Sequence, residues 1–213
     1  MARHNGMILC DIGNSRMHVY DGISVRHLSH EEGIALFRES ELFFICVNDS
    51  VRERIGREAP GWIDISQRHR LKTDYEGLGI DREAACLGIE DGVVVDAGSA
   101  ITVDVMEKGR HLGGWIWPGL SAWLSAYRDV SEKLAVELVS DVELDRLPLK
   151  TEDAVSFAIL ASVKTMIQRF AREKRIVVTG GDAPVVAHIL PGAEIDETIV
   201  FKGMKKMIKD SVC

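Results

Sequence analysis

Two short stretches of this chain bring a carboxylate, a glycine and a hydroxyl together where an apolar run ends. In the first, Met7-Ile8-Leu9-Cys10 leads into Asp11-Ile12-Gly13-Asn14-Ser15; Arg16-Met17-His18-Val19-Tyr20 then reads as a second strand and Asp21-Gly22 as a turn. In the second, Val93-Val94-Val95 leads into Asp96-Ala97-Gly98-Ser99. There Ile101, Val103 and Val105 alternate with Thr102 and Asp104 before a turn at Glu107-Lys108-Gly109. In such a corner the glycine lets backbone N–H groups approach an anion, the hydroxyl donates to it, and the carboxylate holds a cation. Phosphate and its counter-cation are the matching ligands. Asn14 and Ser15 are candidate donors to phosphate oxygens, and Arg16 either neutralises phosphate or faces solvent. A single D-x-G is more often a turn aspartate bonded to its own backbone. Two copies in the same order, each followed by a strand and a glycine turn, instead point to an internal duplication with a nucleoside triphosphate held in the cleft between copies.

The elements that must position these corners alternate in type. Glu31–Ser40 reads as a helix packing through Ile34, Leu36 and Phe37, Leu42–Val47 as a buried strand, Val51–Glu58 as a charged surface helix and Trp62–Ile65 as a short strand. This β-β-α-β-α-β order is that of an α/β lobe. A boundary between Gly88 and Gly92 divides the chain into lobes 1–90 and 91–213. In the second lobe Pro118–Val139 has helical spacing, and Thr151–Lys174 is the strongest helix, with Val155, Ile159, Val163, Met166 and Phe170 along one face. Glu152 and Asp153 in its first turn, and Arg169, Arg172 and Lys174 near its end, suit the helix dipole. Ile176-Val177-Val178 is a strand broken by Thr179-Gly180-Gly181-Asp182, and a helix near Lys202–Lys209 closes the chain.

Composition excludes several classes. At 213 residues, 46% hydrophobic and 28% charged, the chain suits one large domain or two small lobes with real cores. A net charge of -7 and the lack of a Lys/Arg stripe argue against nucleic acid as a partner. No apolar run approaches the roughly 20 residues that cross a bilayer. MARHNG lacks the apolar region of a signal peptide and reads as a short extension before the folded pattern. Cys10, Cys46, Cys86 and Cys213 show no C-x-x-C spacing, as expected of buried thiols in a reduced cytoplasmic protein. The pair His27 and His30 reads as a solvated loop, since no second cluster supplies metal ligands. Trp115, Trp117, Trp123 and Tyr127 concentrate aromatic surface for a core or for a homodimer interface.

Taken together, DIGNS at Asp11–Ser15, GLGIDR at Gly77–Arg82, VVVDAGSAIT at Val93–Thr102, GGWIWPG at Gly113–Gly119, Thr151 after LPLK, and TGGDA at Thr179–Ala183 resemble the type III pantothenate kinases. These motifs run in family order across nearly the whole chain. The resemblance implies two duplicated ribonuclease-H-like lobes of the actin-like ATPase superfamily, with mixed sheets flanked by helices. It implies transfer of the ATP γ-phosphate to the primary hydroxyl of pantothenate, the first step toward coenzyme A, with Mg²⁺ accompanying ATP. Asp11, Ile12, Gly13, Asn14, Ser15, Arg16, Met17 and His18 fall on the first phosphate loop, and Ser99 on a further ATP contact. Asp96 falls on the ligand of an activating potassium or ammonium ion. Gly79, Ile80, Asp81 and Arg82 fall on the pantothenate loop, with Asp81 as proton acceptor; by its own chemistry Arg82 either binds the pantothenate carboxylate or braces Asp81. Thr151 falls on a substrate contact near a homodimer interface. Ser15 and Ser99 stand where threonine is usual and keep the hydroxyl; Asp74-Tyr75 shifts the aromatic of the substrate loop, leaving Tyr75 as the candidate contact.

Other readings stand beside this one. Residues alone make Asp81 a helix N-cap before Arg82–Leu87. A kinase or phosphatase acting on another small molecule would share the corners but not GLGIDR. A non-catalytic nucleotide-binding regulator would have no need of Asp11, Asp81, Asp96 and both hydroxyls.

Overall fold

In the computed structural model residues 7–209 are described, and they form two compact units. The expected N-terminal extension, residues 1–6, and Cys213 lie outside the described residues. Unit 1 comprises residues up to 90 with 107–112 and 197 onward; unit 2 comprises 91–106 and 113–196.

Unit 1 is built on a five-stranded sheet of β1 (Leu9–Ile12), β2 (Met17–Tyr20), β3 (Val25–Leu28), β4 (Phe43–Cys46) and β5 (Ile63–Asp64), in the order β3-β2-β1-β4-β5. β1 runs antiparallel to β2 and parallel to β4. The helices are α1 (His30–Phe37), α2 (Asp49–Glu58) and α3 (Ile80–Leu87). Cys10, Ile12, Met17, Ile34, Phe44 and Ile55 are among the buried core residues. Unit 2 repeats the plan with β6 (Gly92–Ala97), β7 (Ala100–Glu107), β8 (Arg110–Pro118), β9 (Ile176–Thr179) and β10 (Glu194–Ile195), in the order β10-β9-β6-β7-β8. Again the leading strand is antiparallel to the next and parallel to the fourth. Read from the opposite edge the two orders are identical, which is the duplication expected from the paired corners.

Unit 2 also contains α4 (Leu120–Val130), α5 (Thr151–Ala171) and α6 (Ala183–Ile189). The Pro118–Val139 helix is shorter than its spacing suggests. It stops where Ser131 turns extended, at φ -164°, and caps a short 3₁₀ turn, Glu132–Leu134. The chain beyond packs on the core of unit 2 through Val136, Leu138, Val142 and Leu144, and Val139 N–H donates to Ser156 Oγ at 2.9 Å. The apolar face of α5 continues from Val155, Ile159 and Val163 to Ile167 and Ala171, not to Met166 and Phe170, which are 36% and 45% exposed. By length and mean hydropathy alone α5 resembles a membrane span, but it is no unbroken apolar run, and its buried face belongs to the core of unit 2.

Three other features depart from the sequence reading. The expected loop at His27–His30 is the end of β3 followed by Ser29, which caps α1 reciprocally with Glu32. β8 and α6 emerge from stretches read as motifs rather than elements. The final helix α7 (Ile199–Lys209), expected in the second lobe, packs on α3 within unit 1. Gly203 permits this, because a Cβ there would collide with the Ala84 carbonyl. Its Ile199, Phe201, Met204 and Met207 are buried, and Phe201 stacks on Tyr20 with ring centroids 5.2 Å apart.

Candidate active site

Strand register makes the two corners comparable residue by residue. Asp11 lies opposite His18 on β2 and Ile45 on β4; Asp96 lies opposite Thr102 on β7 and Thr179 on β9. Each aspartate thus sits on the central strand, two residues before a glycine. The connection closes with Gly13 N–H donating to the Arg16 carbonyl at 3.0 Å in one corner and Gly98 N–H to the Ala100 carbonyl at 2.9 Å in the other. The first corner is one residue longer, so Ser15 follows Asp11 by four and Ser99 follows Asp96 by three, each next to last in its loop.

In the first corner Asn14, Ser15 and Arg16 are exposed, whereas the side chains of Ile12 and Met17 are fully buried and leave only backbone to meet a ligand. His30, the first residue of α1, reaches back so that its Nε2 lies 3.0 Å from the Gly13 carbonyl, bracing the loop from outside. His18 pairs across the strands with His27, Nδ1 to Nδ1 at 2.7 Å. Burial, then the neighbouring His27 and Arg16, lower the pKa of His18 from 6.5 to about 4, so its imidazole is neutral near pH 7.

The pantothenate-loop candidates also lie in unit 1, at the start of α3. Gly79, not Asp81, occupies the N-cap position, and Asp81 falls in the first helical turn. Its Oδ1 accepts the Arg82 N–H at 2.8 Å and lies so close to Gly79 that a Cβ there would collide with it. The carboxylate is therefore held at the helix start, where free N–H groups and the dipole favour negative charge. Arg82 is only 6% exposed. Its guanidinium carbon lies 4.9 Å from the centre of the Tyr75 ring, and Nη1 donates to the Tyr75 hydroxyl at 3.3 Å. Tyr75 and Arg82 are thus brought together, with Ile80 buried in the core beside them.

Asp96, Ser99 and Thr151 belong to unit 2. Asp96 is half-buried and Ser99 exposed. Gly180, with φ +91° after β9, lies against the Ala97 carbonyl and Asp96 Oδ1, and a Cβ on it would collide with both. Asp182 N–H donates to the same Ala97 carbonyl at 2.9 Å, and burial raises the pKa of its carboxyl. Carboxylate, carbonyl and hydroxyl oxygens make up the donor set at this corner, which suits a hard cation. Thr151 stands exposed as the first residue of α5. Sequence reasoning missed His30 and the Asp182–Ala97 contact; the HLSH spacing gave no hint that a histidine there serves a loop so distant in the chain.

The comparisons extend over both units. The pattern that defines the type III pantothenate kinases matches residues 47–173. A curated type III pantothenate kinase of Helicobacter hepaticus is 41% identical over 209 residues, spanning 97% of this chain and 100% of that protein. Another, from Wolinella succinogenes, is 44% identical over 204 residues, spanning 96% and 97%. A crystal structure from Campylobacter jejuni, named for the Baf family of transcriptional activators, superposes with TM-score 0.84 at 38% identity over 96% of this chain and 98% of its own. The fold itself is that of actin-like ATPases and sugar kinases. A crystal structure from Sinorhizobium meliloti, named as a 2-dehydro-3-deoxygalactonokinase, shares it with TM-score 0.53 at 9% identity, covering 97% and 99%.

Proposed function

This chain belongs to the type III pantothenate kinase family, and from that premise we propose that it transfers the γ-phosphoryl group of ATP to the primary hydroxyl of pantothenate. The observation that carries this reading is similarity to curated pantothenate kinases along the whole chain, with the Asp81-Arg82 pair at the start of α3. Phosphoryl transfer asks a protein for alignment, charge neutralisation and a path for one proton. Asp81 takes the proton of the attacking hydroxyl, a role typically worth about 10²–10⁴ in rate. Arg82 binds the pantothenate carboxylate through its planar guanidinium, and Tyr75, packed against that group, sets its plane. Gly79 and Ile80 present backbone to the same substrate.

Asn14, Ser15, Arg16 and the backbone of Ile12, Gly13, Met17 and His18 hold phosphate oxygens at the first corner, and at the second corner Ser99 offers a hydroxyl to ATP. The Asp11 carboxylate, whose Oδ1 is buried at the end of β1, suits Mg²⁺ or its bound water, and Asp96 suits potassium or ammonium. When bound, these cations supply neutralisation of the triphosphate charge.

A homodimer is part of the proposal. Trp115, Trp117 and Trp123 pack with Phe170 into a partly exposed aromatic group, with centroids 5.2–6.1 Å apart. The Nε1–H of Trp115 is buried without an acceptor among the described residues. Leu147 and Leu149 stand exposed just before Thr151, as expected if that substrate contact is completed at the interface. Three buried free thiols, Cys10, Cys46 and Cys86, agree with a cytoplasmic protein.

The name given to the Campylobacter jejuni structure favours a second reading, a regulator of transcription. The net charge of -7 weighs against a direct grip on DNA. One assay separates the two: ADP release with ATP, Mg²⁺ and pantothenate, in potassium or ammonium against sodium. Pantothenate-dependent ADP, greater in potassium or ammonium, is the expected result. ATP binding with no pantothenate-dependent ADP would refute the kinase reading.

A further inference from the structure

Glu83 is a carboxylate in an unusual place. It is 4% exposed, follows Arg82 on α3, and turns away from solvent toward the segment that precedes Tyr75. Its Oε1 accepts the backbone N–H of Arg70 at 2.6 Å and of Leu71 at 3.1 Å, while Oε2 accepts from His69 Nδ1 at 2.7 Å. A carboxylate offers only acceptors, so the histidine nitrogen facing it is the protonated one. A buried charge is costly unless fully paired, and this one is paired almost wholly with a loop that has no regular structure of its own.

Beyond Leu71 the same segment is fastened twice more. The Lys72 carbonyl accepts His111 N–H at 3.0 Å. Thr73 Oγ1 lies 2.8 Å from His111 Nδ1 and accepts the Tyr75 N–H at 3.0 Å. His111 is 2% exposed, and its ring lies 5.8 Å from that of Tyr75. Tyr75 then returns to α3 through its contacts with Arg82. Segment 69–75 is thus a closed strap. It leaves α3 at Glu83, is pinned midway by His111, and comes back one residue away at Arg82.

We infer that Glu83 is a positioning residue for carboxylate recognition: by tying down residues 69–71 it fixes Tyr75, and through Tyr75 the direction in which Arg82 presents its guanidinium. This rests on the reading of Arg82 as the ligand of the substrate carboxylate. A planar two-point donor tolerates little rotation, so loosening the strap penalises binding of the carboxylate and leaves binding of nucleotide alone.

The test is steady-state kinetics of the full chain with both substrates varied, joined to backbone amide exchange. In Glu83→Ala, KM for pantothenate is expected to rise at least 10-fold while KM for ATP stays within twofold, and the amides of Arg70 and Leu71 lose protection. Glu83→Gln keeps the shape and one acceptor oxygen, and is expected to recover KM to within threefold of the parent. Thr73→Val, which cuts the strap midway, is expected to raise KM for pantothenate at least threefold, and serves alone if Glu83→Ala does not fold. An unchanged KM for pantothenate in a folded Glu83→Ala or in Thr73→Val, or equal rises in both KM values, overturns the inference. If the parent protein shows no pantothenate-dependent turnover, the kinase reading fails first, and the exchange measurement still reports whether Glu83 holds the strap.

Discussion

Gly180→Ala probes how the second corner is built. Two costs are written into that position. A residue other than glycine at φ +91° costs about 1–2 kcal/mol. The added methyl also overlaps the Ala97 carbonyl and Asp96 Oδ1, and forcing an atom into packed surroundings typically costs about 1–3 kcal/mol. Together these predict a loss of about 2–5 kcal/mol. Two other glycines of unit 2 separate the contributions. Gly192 has φ +79° but open space around its Cβ position, so Gly192→Ala isolates the backbone cost of about 1–2 kcal/mol. Gly181 has neither a positive φ nor a neighbour in reach, and Gly181→Ala should fall within about 0.5 kcal/mol of the parent. Urea unfolding of the three variants reads the series directly. With a slope of about 2 kcal/mol/M, Gly180→Ala lowers the midpoint by about 1–2.5 M. Because the methyl presses on Asp96, the proposed role of that residue as a potassium or ammonium ligand predicts that any surviving activity no longer distinguishes these ions from sodium. A Gly180→Ala no less stable than Gly192→Ala, with that preference intact, would refute the claim that Gly180 is there to admit the Asp96 carboxylate.

Two further outcomes are expected. Asp81→Asn should keep ATP binding, measured by calorimetry, and lose about 10²–10⁴ in turnover; undiminished ADP release would remove Asp81 from the proton-accepting role. His18 has a folded pKa of about 4, below its ordinary 6.5, so between those values the unfolded chain binds more protons and stability falls as pH drops. The shift corresponds to at most about 3.4 kcal/mol, nearer 1–2 after solvent screening at the exposed His27. Unfolding curves from pH 4 to 7 should show that slope in the parent and a flatter one in His18→Gln; equal slopes would show that His18 is not the group responsible.

Much of the plan was legible in the residues because it depends on neighbours in the chain. Val93-Val94-Val95 running into Asp96-Ala97-Gly98 announces a buried strand and a tight corner through local preferences alone, and its likeness to the Asp11 corner announces the repeat that the two sheet orders bear out. What was illegible depends on partners far away in sequence. β3 and β8 carry polar or glycine-rich strings, and they are strands because β2 and β7 offer them open edges. α7 has an apolar face that could have packed anywhere, and the missing side chain at Gly203, opposite Ala84, admits it to α3.

The functional residues divide in the same way. Asp11, Asp96 and Asp81 stood out because each sits beside a glycine in a short pattern whose chemistry is self-contained. Glu83, His111 and His30 did not, since nothing adjacent to a glutamate inside a helix tells that its oxygens will face the amides of Arg70 and Leu71. By itself the sequence determined the repeated corners, the α/β alternation and the family. Only the tertiary structure decided which side chains brace them, because a hydrogen bond across a dozen residues or more exists only once packing has closed that distance.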